Sequence, residues 1–451
     1  MRKIIQYMMM ALIAVVLASC ANDISEESTP TVKSNIRFVV DDFPMFEKPS
    51  TRTIGEEDKG KTAWAVGDEI CVKLESKELG TQTATLKYNG VKFELQDGNS
   101  LGSLEDEPVT AYAYYAPNRK WLNDGNLGYK DGEHDGTAEF LEATCTVHYG
   151  DDNYVDISFA NATRNYSRLR IATIPKTEIK VDADNFAPTD NPNLLYMTYT
   201  LTSDEKGNAY LYGTFDNNSI VTVKYRGASL ATHKFSKKTE NAKSYVLDAT
   251  VISANSAEEI YSAIKQEIAD GKTAIRLNLA SDAGDNEFNA IREAFENVQD
   301  ATIDLTLIGC KEIPVNGLYR IMALKSITLP DVTKIRMDAL SSCLYLQEIC
   351  APNVSAIDEY AFGKCRYLKK VTLGKLTDVR GEANSRSGIF DDINDLNPDI
   401  DLYLPKNQEV MEFDENSKQY IWKPTGESYF AGSDKDNVFL GYQFMSVKKW
   451  E

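Results

Sequence analysis

Two stretches of the chain carry residue types at spacings that could do chemistry. Gly55-Glu56-Glu57-Asp58-Lys59-Gly60-Lys61-Thr62 satisfies the literal spacing of a phosphate-binding loop. Such a loop must follow a buried strand and open a helix whose amides face the phosphates. Here Lys48-Pro49-Ser50-Thr51 precedes it, a strand-like run from Trp64 to Leu74 follows, and three carboxylates sit inside it. The match is a coincidence of spacing. The second stretch runs from Asp131 to Glu142 and approaches a calcium-loop pattern, with Asp131, Glu133, Asp135 and Glu142 as oxygen ligands and Gly136 at the turn. Glu133 stands where Asp or Asn is usual and neither flank is helical, so a solvated acidic loop is the favoured reading and a structural calcium the alternative. No other cofactor is expected.

Beyond these stretches the chemistry is sparse. His134, His148 and His233 are far apart and form no metal-ligand pair and no histidine-base constellation. No nucleophile elbow occurs, and no pair of carboxylates can be set across a cleft from spacing alone. The expectation is a chain without catalysis. Its 451 residues carry a net charge of −19, which repels nucleic acid and anionic lipid. At 42% hydrophobic, with 24 Tyr and 17 Phe, it can bury real cores, in two to four domains by length.

The first residues read as an address. Arg2 and Lys3 precede an apolar run from Met8 to Leu17, too short for a comfortable membrane span. Leu17-Ala18-Ser19-Cys20 resembles the lipobox of bacterial lipoproteins. That resemblance implies cleavage of a signal peptide, residues 1–19, and acylation of Cys20, which would tether the chain to a membrane. Ala21, where an aspartate often retains such proteins in the inner membrane, favours the outer one. Residues 20–33, rich in Ser, Thr and Glu, read as a flexible tether.

From Ser34 to Thr250 short β-prone segments alternate with Gly, Asn and Asp. Val91-Lys92-Phe93-Glu94-Leu95 and Val155-Asp156-Ile157-Ser158-Phe159 place apolar side chains on one face. About a dozen such strands suggest tandem antiparallel β-sandwiches over residues 34–160 and 161–250, with Lys180–Pro192 as a loop in the second. Thr51-Arg52-Thr53 followed by Thr62-Ala63-Trp64-Ala65-Val66-Gly67-Asp68-Glu69-Ile70, and the pair Val155–Ala162 and Arg168–Ile171, resemble the fimbrillin-like family of pilus subunits and surface lipoproteins. Ala160-Asn161 departs from a histidine often found there. The resemblance implies Arg52 as a candidate site of proteolytic processing that frees a groove for a neighbour's strand. An ordinary solvated loop arginine is the competing and favoured reading.

Residues 251–451 repeat. Ala339-Leu340-Ser341-Ser342-Cys343-Leu344-Tyr345-Leu346 aligns with Ala361-Phe362-Gly363-Lys364-Cys365-Arg366-Tyr367-Leu368, twenty-two residues on. Ile313, Ile335, Ile357 and Val379 share another register. Such a period means stacked units, none able to bury its apolar face alone. These units resemble the leucine-rich repeats of bacterial surface antigens of the BspA type. A solenoid over 251–414 is expected, with a capping-box helix from Ser256 to about Ala269, a second helix over Phe288–Val298, and a closing segment over 415–451. Cys343 and Cys365 share one repeat position, as in a stack of small buried side chains rather than a disulfide.

The fold class that follows is mainly β with some α: tandem antiparallel β-sandwiches, then a leucine-rich-repeat solenoid. The candidate partner-binding face comprises Lys325, Thr328, Tyr345, Gln347, Tyr367, Lys369, Lys370 and Thr372, at exposed positions of the repeat. The resemblances imply an outer-membrane lipoprotein facing the cell exterior, its β-sandwich stalk presenting the solenoid to a host, matrix or neighbouring-cell protein or glycan. A fimbrial anchor or tip subunit joining other fimbrial subunits by strand exchange is the first alternative. A glycan-capture or glycan-processing protein is the second.

Overall fold

The computed structural model describes residues 36–47, 59–78, 80–96, 101–102, 108–150, 153–160, 164–189, 196–298, 300–381, 387–391, 399–431 and 436–450. Cys20 and Arg52 lie outside them.

The first β unit is built from two sheets on one core. Five antiparallel strands run in the order Phe93–Leu95, Gly80–Tyr88, Glu69–Ser76, Thr110–Tyr115 and Leu141–Glu142. Opposite them lie Arg37–Val40, Tyr154–Ser158 and Thr144–His148. The alternation seen in sequence sets the faces: Val155, Ile157 and Phe159 are buried with Ile70, Val72, Leu74, Ala84 and Leu86. One pairing departs from expectation. Arg37–Val40 runs parallel to Tyr154–Ser158, a pairing that adjacent strands joined by a hairpin cannot make.

In the second unit a single sheet of six strands wraps a core of its own. Its axis is Asn208–Tyr225, eighteen residues long. Leu211, Phe215, Val221 and Val223 all face the same core, and the exposed Asp216-Asn217-Asn218 mark where the strand crosses over. The expected loop at Lys180–Pro192 is instead largely strand, Glu178–Pro188. Ile179, Val181 and Ala183 alternate inward; a bulge at Asn185, whose φ is +50°, then resets the alternation so that Phe186 is buried too. Here also one pair is parallel, Ser167–Ala172 with Ser244–Asp248.

The repeat region is a stack of short strands. Eight form one parallel sheet: Ile252–Ser253, Ala274–Asn278, Ile303–Ile308, Leu324–Thr328, Glu348–Ala351, Lys370–Leu373, Asp401–Pro405 and Ser446–Trp450. Ile327, Ile349 and Val371 are paired neighbours in it, as the period requires. A second sheet carries Ile313, Ile335, Ile357 and Val379 side by side. A third side is made of turns, bonded from one repeat to the next through Leu318 N–H to the Ala339 carbonyl and Leu340 N–H to that of Ala361. Each turn holds two left-handed residues in register, Asn316, Asp338 and Tyr360, then Arg320, Ser342 and Lys364. None is glycine, so composition gave no sign of them. The apolar strand residues Ile313, Ile335, Ile357 and Val379, and Ile327, Ile349 and Val371, are fully buried.

Helix α1, Ala257–Ala269, is capped by the Ser256 side chain accepting from Glu259 N–H. Helix α2 is Asp285–Phe295, three residues earlier than expected, because Gly284 caps it and the Glu287 carboxylate reaches back to the Gly284 N–H at 2.9 Å. The closing segment does more than cover the end: Ser446–Trp450 is the eighth strand of the main sheet, and Trp422, Tyr429, Tyr442 and Phe444 enter the same core.

Arginine contacts join the three units, with Arg276 Nε also donating to the Leu230 carbonyl at 2.8 Å. Arg164, 1% exposed, donates to Glu139 at 2.7 Å from Nε and to the Pro44 carbonyl at 2.7 Å, with its guanidinium 4.0 Å from the Phe46 ring centroid. At the other junction the two-residue turn Arg226-Gly227, both left-handed, brings a hairpin tip against the solenoid. Arg226 Nη1 lies 2.5 Å from Asp331, and Asn353 donates to the Arg226 carbonyl at 2.9 Å.

Two stability predictions follow from these contacts. Glu139→Gln strips the charge from a buried pair and leaves Arg164 uncompensated, so unfolding free energy should fall by about 3–5 kcal/mol in a denaturant titration. Ser342→Val forces a β-branched residue into left-handed backbone and should cost about 1–3 kcal/mol, whereas Ser342→Gly should cost little.

Candidate binding face of the repeat region

The eight candidate residues come from three successive repeats, and the fold sets them on one surface. Gln347 N–H donates to the Lys325 carbonyl at 2.8 Å and Lys369 N–H to that of Gln347 at 2.9 Å, so these three side chains form one row at the entry to the main sheet. Beside it Tyr345 and Tyr367 stack, ring centroids 5.6 Å apart and planes 25° apart. They are 41% and 53% exposed. Thr328 and Thr372 lie further along the strands, in the row that contains Cys350 between them.

Lys370 differs from its neighbours. It sits in the row Asp304, Ser326, Glu348, Lys370 and Asp401, which satisfies itself. Ser326 donates to Asp304 at 2.6 Å, and Lys370 Nζ to Glu348 at 2.5 Å. Partial burial works against the Lys370 charge, yet the Glu348 carboxylate holds its pKa above the usual lysine value. Lys448 donates to Asp401 at 2.9 Å, and hydrogen bonds from Ser446 and Lys448 hold the Asp401 carboxyl below its usual range. Tyr403 lies between Lys370 and Lys448, 5.7 and 5.4 Å from their nitrogens. Sequence reasoning missed this tyrosine and the strand that brings Lys448 beside it. The alternation in Ile400-Asp401-Leu402-Tyr403-Leu404 was its signal. The surface thus has an exposed aromatic pair flanked by Lys325 and Lys369, next to a strip of charges already neutralised. It offers π-faces and two cations to a partner, and no nucleophile beside a base.

Among the described residues no group of three or more His, Cys, Asp or Glu side chains converges as a metal site. Glu142 lies in a strand paired opposite Tyr114, while Asp131 is fully solvated, 4.0 Å from Lys120 Nζ. The turn makes a contact between the β units: the Gly136 carbonyl accepts from Tyr212 N–H at 2.8 Å, and a side chain at Gly136 would meet Pro188. This loop docks one β unit on the next. Of the phosphate-loop stretch, Lys61 pairs with Asp68, donates to the Tyr115 hydroxyl at 3.1 Å and faces the rings of Phe43 and Trp64. It is part of the first unit's packing. Trp64 donates to the Asp41 carbonyl at 2.7 Å and meets Phe43 and Phe93 edge-on.

Among the described residues six cysteines are free thiols. Cys343 and Cys365 are fully buried and donate to the carbonyls of Leu318 and Leu340 at 3.1 and 3.2 Å, the same bond one repeat apart. Burial pushes the Cys343 thiol up to about 12 and Cys365 well above its usual value.

The molecule is thus a mainly β protein whose C-terminal part is a leucine-rich-repeat solenoid. Residues 290–393 match the family described as the BspA type leucine rich repeat region, in six copies. No curated protein matches the chain. Among solved structures, the shaft pilin SpaA of Lactobacillus rhamnosus GG superposes with a TM-score of 0.15 at 12% identity, covering 46% of this chain and 94% of the pilin. A mutant form of that pilin gives 0.17 at 12% identity, covering 41% and 92%.

Thiolate, not thiol, attacks a disulfide reagent. Native protein treated with an aromatic disulfide at pH 8 should therefore leave Cys343 and Cys365 unmodified by mass spectrometry, and both should react once guanidinium unfolds the chain.

Proposed function

We propose that this chain is a non-catalytic surface adhesin: a lipoprotein anchored through acylated Cys20 in an outer membrane, with the β units as a stalk and the solenoid as the recognition surface. Its partner is a protein or glycan of a host, a matrix or a neighbouring cell. The observation that carries this reading is the stacked, exposed Tyr345–Tyr367 pair with Lys325 and Lys369 beside it on a repeat solenoid. Solenoids present extended surfaces to partners, and clustered tyrosines are favoured anchors of binding energy. The net charge of −19 supports a partner other than nucleic acid.

The test has two arms. A non-penetrating protease applied to intact cells should remove an epitope placed in residues 251–451, with the outer membrane shown to be whole. Beads coated with the chain should bind epithelial cells or immobilised matrix proteins, and the double variant Tyr345→Ala, Tyr367→Ala should lose most of that binding. Its unfolding free energy should stay within about 0.5 kcal/mol of the parent, because exposed side chains away from special features contribute little to stability. Protection of the epitope until the cells are lysed would place the solenoid in the periplasm and end the adhesin reading.

A further inference from the structure

Where the two helices meet the first repeat turn, they leave a cleft of about 890 Å³, within the size range of small-molecule sites. Helix α1 lends Tyr261 and Lys265, the end of α2 lends Glu293 and Glu296, and the turn lends Tyr319 and Arg320. Tyr261 and Tyr319 are 40% and 39% exposed, so each wall shows a ring face that the core does not use. Lys265 Nζ stands 5.5 Å from the centre of the Tyr261 ring. Among the described residues neither Lys265 nor Arg320 forms an ion pair. Arg292 on the same wall is different: it is fixed by the carbonyls of Asn316 and Gly317 and by the Asn289 side chain.

The cleft continues into a shallower depression along the helices, which shares Tyr261 and Glu293 and adds Glu258, Asn286 and Glu287. Lys265 and Arg320 thus line the main cleft together with Glu293 and Glu296, and the depression adds carboxylates and amides but no further cation. A polyanion would meet these carboxylates and a chain of net charge −19. A neutral ligand would leave Lys265 and Arg320 unused. One negative group followed by hydroxyl-rich rings fits both halves: rings stack on tyrosine faces, hydroxyls donate to carboxylates, and a carboxylate takes the guanidinium in a forked pair.

We propose that this cleft binds an oligosaccharide bearing a single terminal carboxylate, held by Lys265 and Arg320 and stacked on Tyr261 and Tyr319. The site is separate from the sheet face and stands whether or not that face adheres to anything. Calorimetry of the purified chain would use sialyllactose and a glucuronate-capped trisaccharide as probes, with lactose as the neutral control. At least one acidic probe should bind about tenfold more tightly than lactose, the gain of one charge-assisted pair. Arg320→Ala and Tyr319→Ala should each weaken that binding about tenfold while melting temperature is unchanged, and Tyr345→Ala should leave it intact. The proposal falls if neither acidic probe outbinds lactose. It falls equally if binding survives both Arg320→Ala and Tyr319→Ala.

Discussion

A repeat strand of this chain can bury its apolar side chains only against the strand twenty-two residues away. Ile327, Ile349 and Val371 are each fully buried because each lies beside the next, and the same holds for Ile313, Ile335, Ile357 and Val379. None of these strands exceeds six residues, too few to stand alone. The stack therefore needs ends. Helices α1 and α2 close one, with Ile260, Ile264, Phe288 and Ile291 entering the core; the C-terminal strand and its aromatics close the other. Everything on the surface, including the candidate face and the cleft, is positioned by this register.

The same register explains why the outward face of the main sheet divides in two. Side chains at equivalent positions stack about 4.8 Å apart, so like charges in a row would repel and unlike ones pair. In the row through Glu348 and Lys370 the sequence supplies alternate partners, and the charges cancel. In the row through Lys325, Gln347 and Lys369 an amide separates two lysines, which keeps the cations apart and unpaired with one another. The stacked tyrosines then sit beside available charge rather than quenched charge. At the junctions the logic is reversed: Arg164 and Arg226 are consumed by Glu139 and Asp331, which ties the β units to the solenoid and leaves nothing for a partner.

Much of this was legible because the patterns are periodic. The twenty-two-residue spacing named the stacked residues, the cysteine stack and the tyrosine pair, and Ser256 with Glu259 named the start of α1. What was not legible came from contacts distant in sequence or from backbone without a side-chain signature. The parallel pairing of Arg37–Val40 with Tyr154–Ser158 spans more than a hundred residues. Left-handed backbone at Asp338, Ser342, Tyr360 and Lys364 has no glycine to announce it. Proline at 188 and 192 suggested a loop, yet Pro188 ends a strand, where a missing N–H is tolerated. The acidic run from Asp131 to Glu142 had a ligand-like spacing, but a helix–loop–helix frame is what makes such carboxylates converge. A strand and a docking turn point them apart.

Charge decides how such a surface can select. At physiological ionic strength the field of the whole chain fades within about 8 Å, so a net charge of −19 discourages approach by extended polyanions but does not reach into a contact already formed. Inside that distance the local groups rule. Lys325 and Lys369 beside stacked tyrosines, and Lys265 and Arg320 beside Tyr261 and Tyr319, each combine a ring face with cations in an otherwise acidic molecule. A partner that presents one anionic group on a largely neutral body passes the outer field and gains the inner contact. A uniformly anionic partner pays the first without enlarging the second. Placing sparse cations next to aromatic faces in an acidic chain is thus a means of discrimination, and the solenoid supplies the rigid spacing that keeps those cations from being neutralised by its own carboxylates.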